Sequence, residues 1–291
     1  MSEPSQDEIR WMVGVDAREL SRGAIAYARW LAGGRFHRVY GAHVVEWVPH
    51  VHERYGEVGR EQVRAMATKV LEPLDADPRF EELGAVLATG AEDGLVEAVQ
   101  AKHAHALVIG RRAPRDGGVV IRLGRVARRL VRRLPVPVVV VPPDLEPDQI
   151  GDGPVVLGVD LTESCGVAAA WAARVAADMR RSLVLVHAIH LPDDGPYLPS
   201  DMWEHSVAVE REHGAEAFRA WADRHGVGAT EQVLLEGPPV QVLPRLAQER
   251  RACLLVTGSR ELGGMERLFL SSLGTELAAT APLPVAIVPP S

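Results

Sequence analysis

Short apolar runs alternate with helix-periodic segments along almost the whole chain. Residues 11–16 form the first apolar run, and in residues 21–32 the apolar positions recur every three or four residues until Gly33 and Gly34. The first pattern is typical of buried strands and the second of amphipathic helices. This alternation predicts the order β-α-β-α-β-α-β-α-β, which indicates a Rossmann-like, doubly wound parallel sheet with ligands at the carboxyl ends of its strands.

The same order of elements occurs twice. In the first half we predict strands at residues 11–16, 39–46, 83–89, 106–109 and 136–141, and helices at 21–32, 60–74 and 94–102. In the second half we predict strands at 155–160, 183–189, 232–235, 255–258 and 283–288, and helices from Glu163 onward, at 203–225 and at 240–250. The helix from Glu163 should direct Val167, Trp171 and Val175 inward. A further helix-periodic segment precedes each closing strand.

A constant offset relates the two halves. Asp160 lies 144 positions after Asp16, and His187 lies 144 positions after His43, whereas the glycine that ends the fourth strand recurs after 148 positions, as Gly110 and Gly258. An offset that changes only in loops indicates a duplicated domain. The chain of 291 residues is therefore interpreted as a disordered lead-in at 1–10, a first domain at 11–143, a linker at 144–154 rich in proline, glycine and acidic residues, and a second domain at 155–291.

Composition limits the classes of function. The net charge of −7 argues against bulk affinity for nucleic acid or anionic membranes. No apolar run approaches the roughly 20 residues that a membrane span needs. Two cysteines, Cys165 and Cys253, are too few for a disulfide framework and are interpreted as small core residues. We expect a cytoplasmic protein that binds no nucleic acid.

These residues together resemble a known family. Each half resembles a universal stress protein domain, and the chain resembles the tandem form of that family. The similarity rests on the strand-ending aspartates, the pairs His43-Val44 and His187-Ala188 in the second strands, Gly90 and Gly237 after the third strands, and the repeated module from the fourth to the fifth strand. It implies an adenine nucleotide alpha hydrolase-like fold, with two five-stranded sheets in the order 3-2-1-4-5.

The resemblance also implies a nucleotide site in each half. In ATP-binding members the loop after the fourth strand reads G-x-x-G-(nine residues)-G-[S/T], in which backbone N–H groups and a helix N-terminus receive the phosphates. Carried over to this chain, the motif gives Asp16, Val44, Gly110, Gly124 and Arg125 in the first half, and Asp160, Ala188, Gly258, Ser271 and Ser272 in the second. Ala113 and Glu261 replace the second glycine, so neither half has the full motif.

Charge predicts that the two sites differ. Glu261 would repel a phosphate unless a cation such as Mg²⁺ bridges them, whereas Arg111, Arg112 and Arg125 bring positive charge to the first half. Weak binding of ATP or another anion is therefore expected in the first half. Val126, Leu130 and Leu134 are expected to face inward in the helix that follows. The opposite, solvated face is expected to carry the remaining arginines, Arg128, Arg129, Arg132 and Arg133.

Structural roles remain open for the same residues. Asp16 and Asp160 could cap the turns that follow them as well as contact a ligand. His43 and His187 are expected to be hydrogen-bonded strand histidines rather than catalytic bases, because no nucleophile or metal-spaced partner accompanies them. We therefore predict neither a catalytic residue nor a metal ligand.

Two functions remain compatible with the sequence. The first is a non-enzymatic stress-response sensor or adaptor that binds a nucleotide or another small ligand and acts through regulatory protein partners. The second is a slow ATP-hydrolysing or nucleotidyl-transfer enzyme, which would need a phosphate loop rich in serine and glycine after the first strand. Residues 17–20 and 161–164 provide no such loop. The closing strands carry no charge, so we expect the two halves to pair through them as a pseudo-dimer, with a homodimer also compatible.

Overall fold

The structure is a computed structural model that describes residues 8–16, 21–34, 36–47, 56–75, 79–111, 123–133, 136–189, 199–259 and 273–290. The chain divides into two compact units. The first is built mainly of Met1–Ile150 and the second mainly of Gly151–Leu277 with Ala281–Ser291. Among the described residues, no helix is long and apolar enough to cross a membrane.

The first unit contains a five-stranded parallel sheet in the order β3-β2-β1-β4-β5. Its elements in chain order are β1 (Ile9–Gly14), α1 (Arg22–Leu31), β2 (His37–Glu46), α2 (Gly56–Asp75), β3 (Glu82–Ala88), α3 (Ala91–Ala101), β4 (Ala106–Gly110), α4 (Arg125–Arg133) and β5 (Val138–Val141). The apolar strands β4 and β5 lie in the core because their side chains are buried on both faces.

The second unit repeats this topology in the order β8-β7-β6-β9-β10, again with parallel pairs. Its elements are β6 (Val155–Val159), α5 (Cys165–Asp178), β7 (Leu183–Ile189), α6 (Ser200–Arg224), β8 (Glu231–Glu236), α7 (Pro239–Glu249), β9 (Leu254–Gly258), α8 (Leu273–Thr280) and β10 (Val285–Val288). The predicted α/β fold with two tandem, doubly wound sheets is thereby confirmed.

The inward face of α5 differs from the prediction. Val175 is buried, but Val167 and Trp171 are only partly buried. The residues that meet the sheet are small, and they are Cys165, Ala168, Ala169, Ala172, Val175 and Ala176. Small side chains let the helix axis approach the sheet closely, and a tryptophan at the contact would hold it away.

A similar correction applies to α4. Leu130 is buried as predicted, but the other buried residues of this segment are Leu123 and Ala127, while Val126 is only partly buried. Leu134 lies outside the described residues. The inward face is therefore shifted by about one residue from the prediction, and the exposed arginines Arg125, Arg128 and Arg129 lie around its outer side.

Candidate functional site

The first candidate position is the end of β1, where the chain turns into α1. The backbone N–H of Asp16 donates to Ser21 Oγ at 2.8 Å. Ser21 has φ of 39°, a left-handed conformation that a serine adopts rarely. The short link from strand to helix is therefore closed by a side chain, which fixes Asp16 at the carboxyl edge of the sheet.

In the second unit the carboxylate itself closes the turn. Asp160 Oδ1 accepts hydrogen bonds from the Thr162 N–H at 3.1 Å and from Thr162 Oγ1 at 2.6 Å. Leu161 between them has φ of 62°. The carbonyl of Thr162 accepts a bond from Trp221 Nε1 at 3.0 Å, which ties α6 to the same turn. Asp160 thus has the capping role considered from the sequence, and ligand contact by either aspartate stays a prediction.

A histidine from the second strand holds the carbonyl just before each aspartate. His43 Nδ1 lies 2.8 Å from the Val15 carbonyl oxygen, and His187 Nδ1 lies 2.8 Å from that of Val159. Because a carbonyl oxygen can only accept, Nδ1 carries the proton in both cases. The prediction that these histidines are hydrogen-bonded strand residues is confirmed.

This histidine contact lies where the first two strands separate. The β1–β2 register ends at Gly14 and Ala42, whereas β2 continues beside β3 as far as Glu46 and Ala88. An imidazole therefore binds the Val15 carbonyl beyond the last paired residues, and β1 can leave the sheet while β2 runs on. In a doubly wound sheet of this order, ligands bind beyond the carboxyl ends of the strands where the strand order reverses, which is between β1 and β4, on the other side of β1 from this histidine. The next residue of β2, Val44, lies at this separation.

The two units differ in which element of this region carries the larger side chain. A Cβ added to Gly94 of α3 would lie 2.6 Å from Val44 Cγ1, so the helix passes directly against that strand residue. In the second unit Ala188 replaces Val44, and Val242 of α7 replaces Gly94 at the offset of 148. The offset is supported by Leu95 and Leu243, which pack against Gly14 and Gly158 in the same way. The bulky residue therefore lies on the strand in one unit and on the helix in the other.

The glycines that end β4 and β9 lie against small residues of the first helix in each unit. A Cβ on Gly110 would be 3.8 Å from Ala24 Cβ, and a Cβ on Gly258 would be 3.7 Å from Ala168 Cβ. Neither glycine has a positive φ. Among the described residues, both positions therefore have room for a Cβ.

The start of α4 carries a charge pair that the sequence did not reveal. Glu92, in the first turn of α3, is buried with only 8% of its surface exposed and pairs with Arg129. Its own backbone N–H and the guanidinium groups of Arg129 and Arg125 hold the pKa of its carboxyl below the usual value, against the opposing effect of burial. Arg129 is therefore not simply part of a solvated face. No described residue has an atom within 4 Å of a Cβ added to the preceding Gly124.

Of the remaining candidate binding residues, only Arg111 lies in the part of the chain that the structure describes. Arg111 is half-buried, loss of hydration lowers the pKa of its guanidinium, and it already has interaction partners within the protein. Arg112, Ser271 and Ser272 lie outside the described residues, as do Ala113 and Glu261. Within the described ranges no cluster of three or more histidine, cysteine or acidic residues could hold a metal ion.

Both cysteines are buried in the second unit. Cys165 Sγ lies 3.8 Å from the Gly158 carbonyl oxygen, and Cys253 Sγ lies 3.6 Å from that of Pro154. Burial raises the pKa of the Cys253 thiol to about 11. A thiol with this pKa is neutral at physiological pH, which confirms the interpretation of Cys253 as a core residue rather than a reactive one.

Comparison with solved structures shows the same fold in other proteins. A functionally unknown protein from Pseudomonas aeruginosa PAO1 aligns with a TM-score of 0.68 at 16% identity, covering 98% of this chain and 94% of that one. A universal stress protein from Archaeoglobus fulgidus aligns with a TM-score of 0.61 at 16% identity, covering 96% of this chain and 98% of that one. At these identities the likeness concerns the fold alone.

Sequence comparison is more specific. A universal stress protein from Mycolicibacterium smegmatis is 30% identical over 190 residues, which are 65% of this chain and 63% of that protein, and one from Thermus aquaticus is 34% identical over 136 residues, 46% of this chain and 96% of that protein. The matched part thus spans less than two thirds of the mycobacterial relative. The sequence model of the universal stress protein family matches residues 10–142 and again residues 153–289. With both halves matched, the chain belongs to the universal stress protein family, in its tandem form with two family domains.

Proposed function

We propose that this chain is a stress-response sensor or adaptor that binds a nucleotide or another small ligand at the carboxyl edges of its sheets. The observation that carries the proposal is the histidine contact that holds the end of the first strand in both units, beside the point where the strand order reverses. In each unit an imidazole binds the carbonyl before the strand-ending aspartate, at the same 2.8 Å. A feature repeated in both units at the edge where such sheets bind ligands supports a ligand site there.

Adenine nucleotides, with Mg²⁺ as their counter-ion, are the proposed ligand class. The family resemblance suggests them, and Gly110 and Gly258 leave room beside α1 and α5 for a close approach to backbone groups. The same glycines give a sharp test. An added Cβ at either position meets only ordinary contacts among the described residues, so the alanine variants should keep the fold and report any effect of the Cβ alone.

The test is a titration of ATP, with and without Mg²⁺, monitored by calorimetry. The proteins are the wild type, Gly110→Asp and Gly258→Asp, with Gly110→Ala and Gly258→Ala as matched controls that add a Cβ without charge. We expect binding to be weakened by the Asp variant of the occupied site and retained by the corresponding Ala variant. Native mass spectrometry of freshly purified protein would identify a co-purified ligand. Absence of any bound ligand and of any ATP heat in all five proteins would refute the proposal.

A phosphate-release assay on the wild type and on one further protein, a double variant, distinguishes a binding protein from a slow enzyme. A sensor or adaptor returns ATP unchanged, whereas a hydrolase releases inorganic phosphate at a rate proportional to protein concentration. We expect no phosphate release above that of a Gly110→Asp, Gly258→Asp double variant. Release by the wild type that this double variant abolishes would instead assign an ATP-hydrolysing activity.

We also propose that the two halves associate through their closing strands, as an intramolecular pseudo-dimer, and that homodimers form by a further contact. The reason is the sequence of these strands, since an uncharged strand at a sheet edge promotes aggregation unless something covers it. Each half expressed alone is expected to self-associate or precipitate. Soluble, folded, monomeric halves in sedimentation experiments would contradict this proposal.

A further inference from the structure

A buried acidic residue lies against the basic start of α4 in the first unit. Glu92 occupies the second position of α3 and pairs with Arg129 in the second turn of α4. The Glu92 side chain is 10% exposed, whereas that of Arg129 is 50% exposed. The carboxylate is therefore the buried partner, and the arginine reaches it from the surface. This pair joins the first turn of α3 to the second turn of α4.

The location of this pair matters because both helices begin at the ligand-binding edge. In a parallel sheet the helix that follows a strand starts at its carboxyl end, and its N-terminus attracts anions. Residues 111–133 contain nine arginines and a single acidic residue, Asp116. Within the described part of this segment, the Glu92 carboxylate from α3 partly neutralises the charge of Arg129, and Arg125 also stabilises the ionised form of that carboxylate.

The second unit lacks each member of this arrangement. Val240 in α7 corresponds to Glu92 at the offset of 148. Ser272 before α8 and Glu276 in α8 correspond to Arg125 and Arg129 at the offset of 147. The residues that form this ion pair are therefore not repeated in the sequence of the second unit. Since the rest of the two folds corresponds closely, the buried charge of Glu92 should make the two sites differ in their affinity for anions.

We propose that Glu92 is an internal counter-ion that competes with ligand phosphates for the basic start of α4, so that the first unit favours a nucleoside or a singly charged ligand over a polyphosphate. This inference rests on the proposed ligand-binding function of the same site. Glu92 pairs with Arg129 and its charge is also stabilised by Arg125, so a phosphate bound at the start of α4 would compete with this carboxylate for the same two guanidinium groups. Each additional phosphate charge adds repulsion from the buried carboxylate, which loses little of its effect to solvent.

The probe for this competition is inorganic pyrophosphate, which carries the charge without a nucleoside. We would measure its affinity by calorimetry for the wild type, for Glu92→Gln and for Asp93→Asn. Gln at position 92 keeps a hydrogen-bond acceptor for Arg129 and removes the charge. Asp93 is a matched control, because it lies in the same helical turn and bonds Thr89 rather than an arginine. Glu92→Gln is expected to bind pyrophosphate at least about tenfold more tightly than the wild type.

Further variants keep the result interpretable. Glu92→Val copies the second unit and should show the same gain if Glu92→Gln folds poorly. Adding Arg129→Gln to Glu92→Gln should abolish the gain in pyrophosphate affinity, which would show that the gain depends on the arginine of α4. Equal pyrophosphate affinities in the wild type and both Glu92 variants would overturn the inference, as would a gain that persists without Arg129. Because the probe contains no nucleoside, failure of ATP to bind would overturn the proposed nucleotide ligand without changing this outcome.

Discussion

His187 donates a hydrogen bond from Nδ1 to the carbonyl oxygen of Val159 over 2.8 Å, immediately before the turn at Asp160. His43 and Val15 have the same relationship in the first unit. In both cases a side chain supplies the donor to a carbonyl at the end of the first strand. The strand end is thereby held in a defined position although the chain leaves the sheet there, which is the pre-organisation that a binding edge requires.

This bond predicts the tautomer of both imidazoles. In their neutral form His43 and His187 should carry their proton on Nδ1, because a carbonyl oxygen accepts and never donates. Long-range ¹H–¹⁵N correlation spectra distinguish the two ring nitrogens. Exposed His205 of α6 serves as an internal control and should show mainly the Nε2-protonated form. An Nε2-protonated majority at His43 or His187 would contradict the hydrogen bond.

A second prediction concerns the exchange of volume between Val44 and Gly94. Gly94→Ala places a methyl group 2.6 and 2.8 Å from the two Val44 methyl carbons, and overpacking of this kind costs about 1–3 kcal/mol. In a Val44→Ala background the clash with Val44 is removed and Ala88 Cβ, at 3.1 Å, is the remaining close neighbour, so Gly94→Ala should cost much less there and gains up to about 1 kcal/mol from helix propensity. Urea unfolding of the four proteins of this double-mutant cycle measures the coupling. Purely additive effects would show that the two residues do not constrain each other.

The strand and helix pattern could be predicted from sequence because each element carries its own local signal. Apolar runs such as 183–189 and 106–109 fall inside strands that the structure also contains. The start of β1 was harder to predict. Its pairing begins at Ile9 and His37, two residues earlier than predicted, because polar residues such as Arg10 lie within the paired region. Register with a neighbouring strand, rather than local hydrophobicity, sets this boundary.

The contacts of the candidate site could not be predicted in the same way. Glu92 and Arg129 are 37 positions apart in the chain, and no periodicity connects a helix start to the second turn of another helix. The excess of arginine in residues 111–133 was a signal that a counter-charge was needed, but it did not identify the carboxylate. Similarly, Trp171 was expected inside because it is large and apolar, whereas the close approach of α5 to the sheet selects alanine.

A third prediction tests the packing of α1. A Cβ on Gly23 would lie 1.9 Å from the carbonyl oxygen of Pro142, and the Gly23 N–H donates to the Pro143 carbonyl at 3.1 Å. Because the obstructing atom is backbone, Gly23→Ala should lower the free energy of unfolding by about 2 kcal/mol or more. Gly84→Ala in β3 is the matched control, since no atom of the described residues lies within 4 Å of its added Cβ. Its effect should stay within about 0.5 kcal/mol in chemical denaturation. Similar losses for both variants would argue against a specific contact at Gly23.

The last prediction follows from the buried thiol of Cys253. Burial raises its pKa from an ordinary value of 9.0 to about 11, so the folded protein holds the proton more tightly than the unfolded chain does. The resulting stabilisation is fully present below about pH 9 and is lost as the pH rises through about 11. With about 1.36 kcal/mol for each pKa unit, the loss is on the order of 2–3 kcal/mol.

Cys253→Ala is the control that isolates this contribution, because lysine and tyrosine side chains also titrate in the same range. The free energy of unfolding of both proteins would be measured by denaturant titration between about pH 8 and pH 11. The wild type should be the more pH-sensitive protein, and the difference between the two should narrow steadily above about pH 9 because only the wild type must expose or ionise a buried thiol. Parallel pH profiles would show that the Cys253 thiol ionises as easily in the folded protein as in the unfolded chain, and that the contact with Pro154 does not exclude water from the sulfur.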